Sequence, residues 1–315
     1  MEELGRFTAS SWQCTLKSSI RCTGVGLHTG GKITMELHPA PADSGILFRR
    51  TDIANVNRDI LALYDSVGST NLCTTLVNED GVSVATVEHL MAALAGCEID
   101  NAVVALNGPE VPIMDGSAEP FVFLIECAGI VEQNEPRRAI QVLHPITVHD
   151  GDSVATLEPA DGFAIDFGID FKSAAIGRQN FVMELTSDAF KTDIARARTF
   201  GFLHEVEALR NAGLGRGGTL DNVVIVDGDE VMNVDGLRFD NEFVRHKVLD
   251  CIGDMYLAGG PLFGRFSGVK TGHGLHHKLL RALFAQEAAW ATISLDRRIP
   301  ANTTGWESEA IAATA

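Results

Sequence analysis

The feature that most constrains the fold is an order of elements that recurs. His28-Thr-Gly and His149-Asp-Gly each lead into an alternating apolar run that reaches a Pro-Ala pair, at Pro39 and at Pro159. Further along each half, His89 and His246 lie seven residues before a glycine, Gly96 and Gly253, that reads as a helix stop. After each stop comes a strand and then a helix: "NAVVALNG" and "AEPFVFLIECAG" in the first half, "LFGRFSGVKTG" and "HKLLRALFAQE" in the second. A chain that repeats its pattern in this way is expected to fold as a duplicated unit, an α+β protein of two similar domains. His89 and His246 would then occupy equivalent helices, which a pseudo-twofold packing can bring face to face.

At 315 residues and 45% hydrophobic, the chain has room for two cores of ordinary size. The expected division is a first α+β domain over 14–131 and a second over 139–295, with the polar stretch Glu132–Arg138 as linker. Phe181–Asp229 has no counterpart in the first half and reads as an insertion, centred on 199–223, of the kind that carries substrate contacts. Residues 300–315 read as a disordered tail.

A net charge of -17, with no block of lysine and arginine, excludes a nucleic acid polymer as partner and leaves a small anionic ligand open. The six cysteines form no CxxC pair and read as free thiols of a reducing compartment. "MEELGRFTASSWQC" lacks a signal-peptide core, and no 18-residue apolar run occurs later, so a cytoplasmic protein without a transmembrane segment is expected.

The chemistry is concentrated in "FVRHKVLDCIGD". With His246 at zero on a helical wheel, Asp250 falls near about 40°, Asp254 near about 80° and Lys247 near about 100°. The apolar residues fill the opposite side. Two ligands four apart on one face can share a metal ion, yet the same pattern also describes a solvated polar stripe. "TVEHLMAAL" supplies a third candidate ligand, His89, with Glu88 beside it, and "TGHGLHHKLL" places His273 at a strand-to-helix turn. His276 and His277 read as surface positions on the next helix. Neither HExxH nor GxSxG occurs, and "GLGRGGTLDN" matches no phosphate loop, which leaves metal-activated water as the leading chemistry. A structural zinc in a nucleotide-binding protein, or hydrolysis of another amide, remains an open alternative on these residues.

"TGVGLHTG", "TVEHLMAALAG", "IDNAVVALNGPEVPIMDGSAEPFV", "RARTFGF", "GLRFDNEFVRHKVLDCIGD" and "SGVKTGHGLHHKLL" together resemble the bacterial UDP-3-O-acyl-N-acetylglucosamine deacetylases (LpxC), over about Cys14 to Ile293. The resemblance implies two similar α+β domains in a two-layer sandwich, each with an insert. It implies hydrolysis of the 2-acetamido group of UDP-3-O-(3-hydroxyacyl)-N-acetylglucosamine, releasing acetate, the committed step of lipid A biosynthesis. Zinc, with ferrous iron as the alternative, would be held by His89, His246 and Asp250. Glu88 would be the general base, His273 the general acid, Asp254 its support and Thr199 an oxyanion donor.

The resemblance further assigns substrate contacts to Lys247, Lys270, Phe171, Phe200, Phe202 and His28, and an acyl passage to Leu203, Val206, Leu214 and Leu220. A monomer is expected. The chain departs from relatives at Ser153, where some carry lysine, at Gly215 and Arg216, where others carry larger apolar residues, and at His276-His277, where asparagines are more usual.

Overall fold

The computed structural model describes residues 10–295, so the C-terminal tail read as disordered lies outside the described residues. The chain enters through β1 (Trp12–Leu16) and continues with β2 (Ile20–Val25), β3 (Lys32–Pro39), β4 (Ile46–Arg50) and β5 (Asp59–Leu61). A small sheet of β6 (Val67–Ser69), β7 (Thr75–Val77) and β8 (Ser83–Val84) precedes helix α1 (Glu88–Gly96). Strand β9 (Ala102–Leu106), helix α2 (Glu119–Ala128) and β10 (Ile130–Pro136) complete this half.

β9 takes the centre of the first sheet, antiparallel to β3 and parallel to β4, in the order β2-β3-β9-β4-β5. A hairpin cannot join parallel neighbours, so a crossover is required, and the small sheet with α1 provides it. Every second residue of β3, Ile33, Met35 and Leu37, is buried, as a sheet covered by helices on one face demands.

The second half opens with β11 (Arg138–Val142), β12 (Ile146–Asp150), β13 (Ser153–Glu158), β14 (Phe163–Asp170) and β15 (Arg178–Glu184). A short helical turn α3 (Ser187–Ala189), β16 (Phe200–Phe202), α4 (Leu203–Asn211), β17 (Val224–Asp227) and β18 (Glu230–Val231) lead to α5 (Glu242–Tyr256). β19 (Leu262–Val269), α6 (His273–Phe284) and β20 (Trp290–Ser294) complete the chain's described elements. β19 is antiparallel to β13 and parallel to β14, with β12 beyond β13 and β15 beyond β14. That order reproduces the first sheet strand for strand, so the chain is an α+β fold built from a duplicated sheet-plus-helices unit. β11 and β20 extend the second sheet beyond the shared pattern.

Three expectations change. Glu132–Arg138 is no free linker: β10 pairs antiparallel with β1, and Arg137 is buried, its Nε 2.7 Å from Asp100. Most side chains of β10 are exposed while its backbone is engaged in the pairing, a distinction that polarity alone does not make. The stretch from Phe181 begins inside β15, within the repeated sheet. The remainder of that stretch has a counterpart in the first half, since β6-β7-β8 and β16-β17-β18 both sit in the crossover before a site helix.

Gly253 is the third. It is not a helix stop, because α5 runs on to Tyr256. A Cβ at Gly253 would stand 2.0 Å from the Glu88 carbonyl oxygen, so only glycine lets α5 cross the first turn of α1 at this separation. One continuous apolar cluster therefore spans both halves, with Leu90, Met91, Val248 and Ile252 fully buried within it. Gly253→Ala is expected to force the helices apart and to destabilise the protein by about 1–3 kcal/mol, read from urea unfolding, with metal content falling in parallel.

Candidate metal centre and active site

α1 and α5 cross where each carries its polar residues. His89 from α1 and His246 from α5 lie edge to face with ring centroids 4.9 Å apart. Asp250, one turn beyond His246, places Oδ1 3.4 Å from His246 Nε2 and 3.6 Å from His89 Nε2. All three side chains are buried.

These separations are too long for good hydrogen bonds. They are what two ligands about 2.0–2.1 Å from one tetrahedral ion would show. Asp250 Oδ1 has no hydrogen-bond partner although it is buried, while Oδ2 accepts from Lys247 Nζ at 2.7 Å. His246 Nδ1 donates to the Ala197 carbonyl at 3.0 Å, which turns the Nε2 lone pair toward Asp250. Burial holds the His246 pKa down at about 4, so the ring is neutral. Burial would raise Asp250, but the Lys247 ammonium and His246 outweigh it and keep the carboxyl well below its usual range. Two imidazoles and one carboxylate converge with no hydrogen bond between them, and the residues fit a divalent cation of the zinc type.

A second group of possible donors, Asp254, His273 and His276, is of another kind. Its separations, 2.7 Å from His273 Nδ1 and 2.8 Å from His276 Nδ1 to Asp254 Oδ2, are those of hydrogen bonds that already contain protons. This is a hydrogen-bond cluster and not a ligand set.

Glu88 and His273 face each other across the cavity, Oε1 to Nε2, at 3.6 Å. Glu88 Oε2 accepts from the Thr74 backbone N–H at 3.0 Å, and burial raises its pKa above the ordinary carboxylate value. His273 opens α6, where burial and the positive helix end both oppose its charge. Asp254 and Glu88 overcome them and raise it to about 9. Asp254 itself would be raised by burial but is held well below its usual range by His273 and His277. A carboxyl whose pKa is raised by burial and an imidazole that carboxylates hold protonated thus share one site.

The cavity has a volume of about 330 Å³. A second cavity of about 330 Å³, lined by Arg137, Phe163 and Tyr256, is equally large. Size does not distinguish them, and only the first gathers Glu88, His89, His246, Asp250 and His273.

Thr199, Phe171, Phe200 and Lys247 line this cavity, and Phe202 joins Phe171 in a ring contact at 5.9 Å. His28 is half-buried beside Leu27, which lines the cavity in its place; the His28 backbone N–H donates to Glu110. Lys270 is not in the wall: its Nζ pairs with Asp170 at 3.0 Å, and Thr271 after it lines the cavity instead. Leu203 and Leu220 are exposed, at 41% and 47%, Val206 and Leu214 are half-buried, and none of the four reaches the wall.

His276 and His277 are not surface residues. Their exposures are 0% and 3%, and both bond Asp254, whose place on another helix no local pattern could reveal. Leu27, Leu72, Thr86 and Thr271 also belong to the wall, although sequence reasoning does not point to them. Leu27, Thr86 and Thr271 carry a signal, through the nearby His28, Glu88 and Lys270, and Leu72 carries none.

The segment bearing Thr199 is anchored through Arg198. Glu242, fully buried at the start of α5, accepts from Arg198 N and Nε at 2.9 and 2.8 Å and from Arg238 N at 2.6 Å. Glu242→Ala would strand the Arg198 guanidinium, and a loss of about 3–5 kcal/mol is expected in urea unfolding.

A sequence profile described as UDP-3-O-acyl N-acetylglycosamine deacetylase (LpxC) matches residues 13–285. The chain is 53% identical to the UDP-3-O-acyl-N-acetylglucosamine deacetylase of Teredinibacter turnerae over 286 residues, 90% of this chain and 94% of that one. It is 49% identical to the protein of the same name from Shewanella pealeana over 92% of this chain and 95% of that one. The Histophilus somni protein of that name is 50% identical over 90% and 93%.

Proposed function

The chain belongs to the UDP-3-O-acyl-N-acetylglucosamine deacetylase family, and from that premise we propose that it hydrolyses the 2-acetamido group of UDP-3-O-(3-hydroxyacyl)-N-acetylglucosamine, the committed step of lipid A biosynthesis. The observation that carries the reading is the meeting of a carboxylate base and an imidazolium acid, 3.6 Å apart, beside three convergent metal donors.

His89, His246 and Asp250 would hold a zinc ion. Bound there, zinc supplies a lowered water pKa and polarises the acetyl carbonyl. Glu88 takes a proton from the attacking water as the new C–O bond forms. The hydroxyl of Thr199, in the cavity wall, donates to the charge that develops on the carbonyl oxygen. His273 Nε2 then gives its proton to the departing amine nitrogen, which without it is a poor leaving group. Glu88 and His273 are near enough for the proton gained by one to restore the other through the released amine or water.

Lys247, Phe171, Phe200 and Phe202 would bind the nucleotide-sugar part, with His28 and Lys270 near its entrance. Leu203, Val206, Leu214 and Leu220 would form the path of the acyl chain. We take 14–131 and 139–295 as the two domains and the enzyme as a cytoplasmic monomer. No helix among the described residues is long and apolar enough to cross a membrane.

Acetate release from UDP-3-O-acyl-N-acetylglucosamine, compared with its unacylated parent, tests the substrate. Strong preference for the acylated sugar is expected, and equal turnover would count against it. The pH dependence of kcat/KM should be bell-shaped. The acid limb marks Glu88 losing its proton above the ordinary carboxylate range, and the alkaline limb falls near about 9 as His273 loses its own. A profile still rising beyond about 9 would rule out His273 as the acid.

A further inference from the structure

Asp254 is a fully buried carboxylate with four donors on two oxygens. Oδ2 accepts from His273 Nδ1 at 2.7 Å and His276 Nδ1 at 2.8 Å. Oδ1 accepts from the Thr74 hydroxyl at 2.6 Å and His277 Nε2 at 3.2 Å. A carboxylate offers about four lone-pair sites, so every site is taken and the group has no freedom to turn.

Each partner is fixed in turn. His276 lies with Nε2 3.0 Å from the Thr271 hydroxyl and edge-on to Phe266 and Phe167, with centroids 5.5 and 6.0 Å away. Its two nitrogens are thus both satisfied in the neutral ring, with Nδ1–H as donor and Nε2 as acceptor. His277 Nε2 also lies 3.0 Å from the Thr74 hydroxyl oxygen. Thr74 reaches the base as well, through its backbone N–H on Glu88 Oε2.

We propose that His276, His277 and Thr74 are positioning residues for the amide hydrolysis: their donated hydrogen bonds hold Asp254 in one orientation, which keeps the Nδ1 proton of His273 on Asp254 and leaves Nε2 to carry the proton that is transferred. The inference rests on the deacetylase reading for its reaction and on the hydrogen-bond geometry for its content. In the step itself the His273 Nε2–H bond breaks, its electron pair stays on the ring, and the proton joins the amine nitrogen.

The groups that face His273 are Glu88 on α1, Asp250 and Asp254 on α5, and His276 on its own helix, while His89 on α1 and His246 and Lys247 on α5 line the same cavity. The three positioning residues act as donors that divide the charge of Asp254 among them. Removing one donor leaves more of that charge acting on His273, which becomes a weaker acid.

The test uses the full-length, metal-loaded protein and two readouts, the pH profile of acetate release and the titration of His273 followed by imidazole 15N NMR. Thr74→Val, which keeps shape and loses the hydroxyl, and His276→Leu should each raise the His273 midpoint by roughly half a unit or more. Both should lower kcat about tenfold or more with KM within about twofold. His276→Asn, whose amide can still donate to Asp254, should restore the midpoint and most of kcat. If His276→Leu does not fold, Thr74→Val carries the test alone. An unmoved or lowered midpoint in Thr74→Val, or His276→Asn behaving like His276→Leu, overturns the proposal. A midpoint that moves as expected in a protein releasing no acetate would sink the assigned reaction and leave the positioning role standing.

Discussion

Glu88→Gln is expected to lower kcat by about 10²–10⁴-fold, the usual contribution of a general base, while metal content stays near stoichiometric. Glutamine preserves the volume at the start of α1 and can still accept from the Thr74 N–H, so the helix and its neighbour His89 keep their places. What is lost is the ability to take a proton. KM should change little, because the role assigned to Glu88 is to take a proton from the attacking water and not to hold the sugar nucleotide. Metal analysis beside steady-state kinetics checks it. A variant that keeps full activity would refute Glu88 as base, and one that loses its metal would show that Glu88 shapes the ligand set.

His246→Ala is expected to reduce metal affinity by far more than the roughly 10–100-fold that losing an outer-shell partner costs, and activity should disappear with the metal. Asp250→Asn should do the same more mildly. It removes the charge that Lys247 Nζ neutralises at 2.7 Å, and so leaves a buried ammonium without its counterion. The protein freed of metal by chelation should remain folded with a lowered Tm, and zinc should restore both stability and activity. A structural zinc site would behave otherwise, since such sites use four protein ligands and their apoproteins unfold. Here the three candidate ligands stand on helices that are already held by a continuous apolar cluster. Isothermal titration with zinc, together with thermal melts, separates the cases. An apoprotein that is unfolded would make the metal structural.

Much of the site was legible because the information is local. His246, Asp250 and Asp254 repeat every four residues, and helical geometry alone puts them on one face. The recurring histidine and Pro-Ala markers foretold two like sheets, and β2-β3-β9-β4-β5 and β12-β13-β19-β14-β15 repeat accordingly. Polar character misled where backbone pairing decided the outcome, as in β10. It misled again where a polar group found its partner on a distant helix, as with His276 and His277. Thr74 carried no signal, since a threonine just ahead of a short strand has no pattern to mark it.

The sequence by itself determined the duplicated α+β plan, the helix face that carries His246 and Asp250 together, and the residue types a metal hydrolase needs. These arise from periodicity and chemistry, which depend on neighbours in the chain. Only the tertiary structure decided which residues became one site. The missing side chain of Gly253 lets α5 cross α1, and that crossing sets His89 against His246 and brings Glu88 to the same cavity as His273. The charge states also waited on the fold, because burial and partners from other helices place a proton on His273 and withhold one from Asp254.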